Sequence, residues 1–309
     1  MKRIGLALAM ACVFLSWFCA GGCDSNSKSV VVYTSQDQVY AEPIFRAFTA
    51  ATGVRVLPVF DSEAVKTVGL VHRLLAEKEN PQCDLFWNNE ALRTRMLAEK
   101  GLFASTNGWK SSGLRSRRIV VNSKLVSPAQ WPGSFLELTN SIWRGRLALS
   151  YPLFGTTATH FMALRQKLGN QTWEKWCRAL ADNKPLLVDG NSMVVKLVGR
   201  GEALIGMTDS DDIFAGQADG LPVDALPLCE DGLMIPNTIG IVRNAPHAEA
   251  AEQLRDFLQK PEILKQLQQA GALETCDEAA QKAGLQPDWE LLVAEIDPAT
   301  EALKAIFLR

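Results

Sequence analysis

Residues 30–60, VVVYTSQDQVYAEPIFRAFTAATGVRVLPVF, decide the architecture. Val30-Val31-Val32-Tyr33 is a short apolar, β-branched run suited to a buried strand. Pro43 to Ala51 carries a helical pattern, with Pro43 near the first turn and Gly53 as the stop. Val54 to Phe60 is the next strand. Working outward, Ser62 to Lys78 reads as a helix, with Ala64, Val68, Val71 and Leu75 on one face. Asp84-Leu85-Phe86-Trp87 is a third strand, and Glu90 to Lys100 is a helix ended by Gly101. This βαβαβα rhythm predicts an α/β fold whose mostly parallel sheet is covered by helices.

A second series follows. Arg118 to Val121, Leu147 to Leu149, Leu186 to Val188, Ala203 to Met207, Leu221 to Leu228 and Ile239 to Val242 read as strands. Thr157 to Leu168, Thr172 to Ala181, Ser192 to Gly199, Pro246 to Gln259 and Pro261 to Ala270 read as helices. No internal repeat interrupts them.

The N-terminus addresses the chain elsewhere than the cytoplasm. Lys2 and Arg3 precede an uncharged apolar run from Ile4 to Ala20, which closes with Ala20-Gly21-Gly22-Cys23. That pattern is a secretory signal over residues 1–22 with a lipidation site at Cys23. The run is too short for an uninterrupted membrane span of about 20 residues. The polar stretch to Ser29 is then a tether. Cleavage before Cys23 leaves 287 of 309 residues, with 30 basic and 34 acidic side chains. A formal charge of −4 excludes the basic face of a nucleic-acid binder. Cys83, Cys177, Cys229 and Cys276 form no C-x-x-C pair and read as isolated buried thiols.

In open parallel sheets, ligands bind where strand ends run into helix starts. Five polar loops occupy such places: Thr34 to Tyr40, Asn88 to Glu90, Gly155 to Thr159, Gly190 to Ser192 and Thr208 to Asp212. Gly155-Thr156-Thr157 at a helix start offers backbone N–H groups and a dipole end to an anion, although Thr156 can equally cap the helix. Asn191 is either an anion ligand or a turn residue. Asp209, Asp211 and Asp212 crowd three carboxylates into four positions, which calls for a cationic partner: a hard metal ion or an ammonium group. Gln36 and Gln38 add amides, while Asn89 and Glu90 end the third strand. His160 is the histidine nearest these loops and reads as a locally bonded helix residue. No nucleophile–base motif, metalloprotease motif or phosphate loop is present, so an enzyme is not expected.

Val31-Val32-Tyr33, Asp84 to Glu90, Tyr151 to His160, Asp189 to Ser192 and Gly206 to Asp212, in that order and spacing, resemble the ferric-iron-type periplasmic solute-binding proteins of ABC transporters. The resemblance spans roughly Val30 to Ala270. It implies the two-lobed, type II periplasmic-binding-protein fold, with residues 30–117 plus 240–272 as lobe 1 and 118–239 plus 273–309 as lobe 2. It also implies an anion site at Thr156, Thr157 and Asn191, and an iron-coordinating carboxylate at Asn89 or Glu90, so that Glu90, Asp211 and Asp212 become candidate metal ligands. Iron binders of this family use adjacent tyrosines where this chain reads Ser210-Asp211-Asp212. Here only Tyr33, Tyr40 and Tyr151 occur, none adjacent. The expected protein is therefore a monomeric, lipid-anchored, periplasmic binder that delivers its cargo to an inner-membrane permease. The cargo would be a metal with a bound anion, or a small zwitterion or phosphonate. The alternatives are a sensory binding module for a membrane receptor and an exported hydrolase.

Overall fold

The computed structural model describes residues 28–61, 68–105 and 108–308. The expected leader, Cys23, nearly all of the tether and the start of the helix read from Ser62 lie outside them. The first series folds as β1 (Ser29–Thr34), α1 (Gln38–Thr52), β2 (Arg55–Phe60), α2 (Val68–Ala76), β3 (Leu85–Asn88) and α3 (Ala91–Glu99). There follow β4 (Trp109–Asn122), β5 (Leu147–Ser150), α4 (Gly155–Leu168), α5 (Asn170–Asp182), β6 (Leu186–Val188) and α6 (Asn191–Gly199). The chain continues through β7 (Ile205–Asp209), α7 (Ser210–Ala218), β8 (Val223–Ala225) and β9 (Met234–Ile241). It closes with α8 (Ala248–Leu258), α9 (Pro261–Gln269), α10 (Trp289–Ala294) and α11 (Ile296–Phe307). Among the described residues no helix is long and apolar enough to cross a membrane.

The strands run in the order β2-β1-β3-β9-β4-β7-β5-β6, with β8 also on β4. β1 pairs in parallel with β2 and β3, and β5 in parallel with β6 and β7. Between these parallel halves lie the antiparallel strands β9 and β4. Trp109 to Ser116 pairs with β9, and Arg117 to Val121 pairs with β7. β4 therefore belongs to both halves.

Each half is covered on two faces. In β1, Val30 and Val32 enter a core built with α1, α8 and α9, whereas Tyr33 enters one built with α2 and α3. That is the two-residue alternation of a strand buried on both sides. The other half packs a large core from α4, α5 and α11 on one face and a smaller one from α6 and α7 on the other. The helix α10 packs against both α3 and α4. There the Arg95 guanidinium lies between the Trp109 and Trp289 rings, 5.1 Å and 5.2 Å from their centroids. Cys83 and Cys177 are buried free thiols, and Cys229 and Cys276 are half-buried free thiols.

Three sequence expectations need correction. The first helix begins at Gln38, and Pro43 lies inside it; the missing N–H removes one helical bond, which the buried face of Ala41, Ile44, Phe45 and Phe48 offsets. The strand expected over Arg118 to Val121 is the end of the 14-residue β4. Its first part is polar, and alternation cannot reveal partners distant in sequence. The strand read over Leu221 to Leu228 shrinks to Val223–Ala225.

His160 is fully buried on α4, with Nε2 2.7 Å from the Asp231 carbonyl and its ring edge-on to Phe135. Burial, then the charge of Arg117, pushes its pKa from 6.5 down to about 4. The unfolded chain thus takes up a proton below pH 6.5 that the folded chain refuses until about pH 4. Stability is complete above pH 6.5 and falls as pH drops through that window, by roughly 3 kcal/mol from this group. His160→Gln should flatten the loss. Urea unfolding at pH 7 and pH 4.5 checks it, and equal losses in both proteins would refute the assignment.

Candidate functional site

The five polar loops come together where β1, β3, β5, β6 and β7 end, on either side of β4. The site is built around Asp209, the last residue of β7, which is 1% exposed. Arg117 Nη1 donates to its Oδ1 at 2.7 Å, and Arg115 Nη2 approaches Oδ2 at 3.4 Å. Thr156 Oγ1 and Asn191 Nδ2 also donate to Oδ2, at 2.7 Å and 3.1 Å. Burial alone would raise the carboxyl pKa, but Arg117, Arg115 and these donors hold it below the usual range. Asp211 receives the other Arg115 fork at 2.6 Å. Burial opposes the Arg115 charge, yet Asp211, Asp209, Asp212 and Asp37 outweigh it and raise the guanidinium pKa.

Strand parity explains the arrangement. Residues two apart share a face, so Arg115 and Arg117 both reach the Asp209 side. Ser116 and Arg118 turn the other way, where both bond to Glu274. Sequence reading expected a cation for the three acids and missed that the chain supplies two of its own. The visible signal was Arg115-Ser116-Arg117-Arg118 leading into Ile119-Val120-Val121: charges at the start of an apolar strand need buried partners.

In front of this network lies a cavity of about 30 Å³, lined by Asn89, Arg115, Ser150, Gly155, Thr156 and Asn191 among others. Thr157, Asp209 and Asp212 also line it. The two flanking helices start there without side-chain caps: Phe154 precedes α4, and Gly190 precedes α6. Uncapped first-turn N–H groups and two positive dipole ends thus face one space. Ser150 and Thr157 hydroxyls, 3.3 Å apart, complete the wall.

Other expected site residues are placed differently. Gln36 is buried within the first loop, whereas Gln38 is exposed and donates to Glu42 on its own helix. The Glu90 carboxylate caps α3, accepting from the N–H groups of Leu92 at 2.7 Å and Arg93 at 3.0 Å. Thr159 Oγ1 adds a third bond at 3.3 Å, and burial raises the Glu90 pKa. Asp209, Asp211 and Asp212 do place carboxylate oxygens within 4.8 Å of one another. Two of the three are already bound to guanidinium groups, and Glu90 lies outside the cluster. Tyr40 stands near the cluster, but burial, then Asp211, Asp37 and Asp212, push its phenol up and keep it protonated.

A cleft at the carboxyl ends of parallel strands, lined by polar helix starts, is the design of a solute-binding protein. The sequence profile of the bacterial extracellular solute-binding proteins matches residues 29–272, and the chain belongs to that family. No curated protein matches it in sequence. Solved structures share its type II periplasmic-binding-protein fold. Iron-bound HitA from Pseudomonas aeruginosa is 19% identical with a TM-score of 0.78, covering 90% of this chain and 99% of that one. AfuA from Actinobacillus pleuropneumoniae, with exogenous fructose-6-phosphate bound, is 17% identical with a TM-score of 0.79, covering 91% and 99%. The ferric binding protein from Campylobacter jejuni is 15% identical with a TM-score of 0.76, covering 90% and 99%. At these identities the likeness shows the fold and leaves the cargo to the site's own chemistry.

Removing one partner of a buried ion pair strands the other charge, at a cost of about 3–5 kcal/mol. Arg117→Met should destabilise the protein by that order, and Arg117→Met with Asp209→Asn should recover most of it. Chemical denaturation of the three proteins checks this. A double variant no more stable than the single one would contradict the pairing.

Proposed function

We propose that this chain is the substrate-binding component of an ABC importer and that its cargo is a small organic anion: a phosphate, phosphonate or carboxylate, with or without an amine. Lobe 1 (residues 30–117 and 240–272) and lobe 2 (118–239 and 273–309) close on the cargo. A lipid on Cys23 holds the protein, as a monomer, at the outer face of the cytoplasmic membrane or elsewhere in the periplasm, within reach of the permease. The observation that carries the reading is the convergence of two uncapped helix starts, α4 and α6, on one cavity. An anionic head group there accepts first-turn N–H bonds and meets both dipole ends. Asp212, which lines the same cavity, suits an amine. The fructose-6-phosphate in AfuA shows that this fold accommodates a phosphorylated solute.

A second reading, a metal ion with a synergistic anion, draws on the three clustered carboxylates and on the iron-bound HitA neighbour. It ranks behind the first on charge. A ferric ion at the cluster would sit beside the fixed positive charges of Arg115 and Arg117, with Asp209 and Asp211 already neutralised.

Thermal unfolding separates the two. A bound ligand at a hundredfold its Kd stabilises by about 2.7 kcal/mol. Inorganic phosphate, methylphosphonate, 2-aminoethylphosphonate, a hexose phosphate and ferric chloride with bicarbonate are the probes. At least one organic phosphate or phosphonate should raise the midpoint, and ferric chloride with bicarbonate should not. A shift with the ferric salt alone would sink the organic-anion reading.

A further inference from the structure

Around the ends of β1, β3 and β9 and the bulge of β4 lies a row of buried polar groups that the anion site leaves unused. In β9, Asn237 is fully buried, and neither Nδ2 nor Oδ1 has a hydrogen-bond partner. Buried amides are ordinarily bonded. Among the described residues the other buried asparagines follow that rule: Asn88, Asn89, Asn122 and Asn183 each make side-chain bonds. Ser112 Oγ and Gln36 Nε2 are likewise buried without a partner.

These groups lie at one level across four neighbouring chain segments. Thr34 pairs with Trp87, and two residues onward stand Gln36 and Asn89. Asn88 pairs with Thr238, so Asn89 and Asn237 are one step beyond. Between the pairs Ser111–Thr238 and Leu114–Pro236 the register shifts, so that Ser112 and Gly113 stand opposite Asn237 alone. That is a β-bulge, a device that re-aims a side chain. Gly113 permits it: its φ is +102°, and a Cβ there would lie 2.6 Å from Leu273 Cδ1. Thr238 turns its hydroxyl to Thr94 of α3, 2.7 Å away, so Asn237 faces the opposite side of the sheet, the face on which Ile239 enters the core built with α1. Asn89, in the middle of the row, lines the anion cavity. The row and the anion site are therefore contiguous.

We propose that Gln36, Ser112 and Asn237 form a second subsite that receives the uncharged polar end of the cargo, a group able both to donate and to accept, as a hydroxyl or carboxamide does. This rests on the organic-anion reading and narrows it: the cargo is an anion with a hydroxyl- or amide-bearing tail. An amide offers a donor and an acceptor side by side and a hydroxyl supplies both roles, so the set is matched by a diol or an amide and not by an alkyl chain or a second charge. A site built to bond a hydroxyl rejects the analogue that lacks it, because its own buried groups then stay unpaired.

The experiment compares glycerol phosphate with propyl phosphate, which share the head group and chain length, by calorimetric titration of the full-length protein. The wild type should bind glycerol phosphate at least tenfold more tightly. Asn237→Leu and Ser112→Ala should each bring the ratio towards one while leaving propyl phosphate affinity within about twofold. Gln36→Ala, outside the strands, should lower the same ratio and serves if Asn237→Leu does not fold. Equal binding of the two esters by the wild type overturns the subsite and spares the anion site. A raised melting midpoint in Asn237→Leu with an unchanged ratio also overturns it, since the amide would then be structural alone. Binding of neither ester overturns the subsite, and failure of every organic anion to bind overturns the anion reading as well.

Discussion

A carboxylate with almost no exposure has to be neutralised inside the protein, and in this molecule the neutralisation of Asp209 organises the rest. Its partners come from β4, the strand shared by both halves of the sheet. Because Arg115 and Arg117 are two residues apart, both reach one face, and the strand cannot slip by one residue without stranding two guanidinium groups and two carboxylates. Thr156 and Asn191 join the same carboxylate. The starts of α4 and α6 are thereby tied to the strand that crosses the molecule.

The same pairing sets the chemistry of the cleft. With Asp209 and Asp211 bound to guanidinium groups, the cavity wall also carries the uncapped first-turn N–H groups of α4 and α6. A cluster of three acids in the sequence keeps one formal negative charge in space once Arg115 and Arg117 are counted, and the side chain that lines the cavity as a cation is Arg115. Charge counted along the chain and charge presented to a ligand are different quantities here, because burial selects which groups remain available.

Much of the fold was legible because its signals are local. Val30 to Tyr33, Asp84 to Trp87 and Leu147 to Leu149 are apolar runs of strand length, and Gly53 marks the end of α1 by its left-handed backbone. The loops at their ends were legible for the same reason. What could not be read is what depends on partners far away. The first part of β4 carries no strand pattern of its own, and its place is set once Asp209, Asp211 and Glu274 are around it. Glu90 and Asp211 look alike as acids near helix starts, yet one caps α3 and the other pairs with Arg115. Asn237 sits inside an apolar strand whose neighbours gave no reason to single it out. Residues 296–307 do carry a helical period in Ile296, Ala299, Leu303 and Ile306 that sequence reading missed, and α11 buries that face against α4 and α5.

The stacking of Arg95 between Trp109 and Trp289 bears on how the cleft can open. A hydrogen-bonded link between α3 and α10 would hold one geometry and break when moved. A guanidinium plane between two indoles has no such direction: its attraction is spread over the ring faces. The contact between α3 and α10 is thus carried by ring faces that tolerate small displacements, whereas the Thr159 bond to Glu90 and the network around Asp209 supply the directional links between the halves.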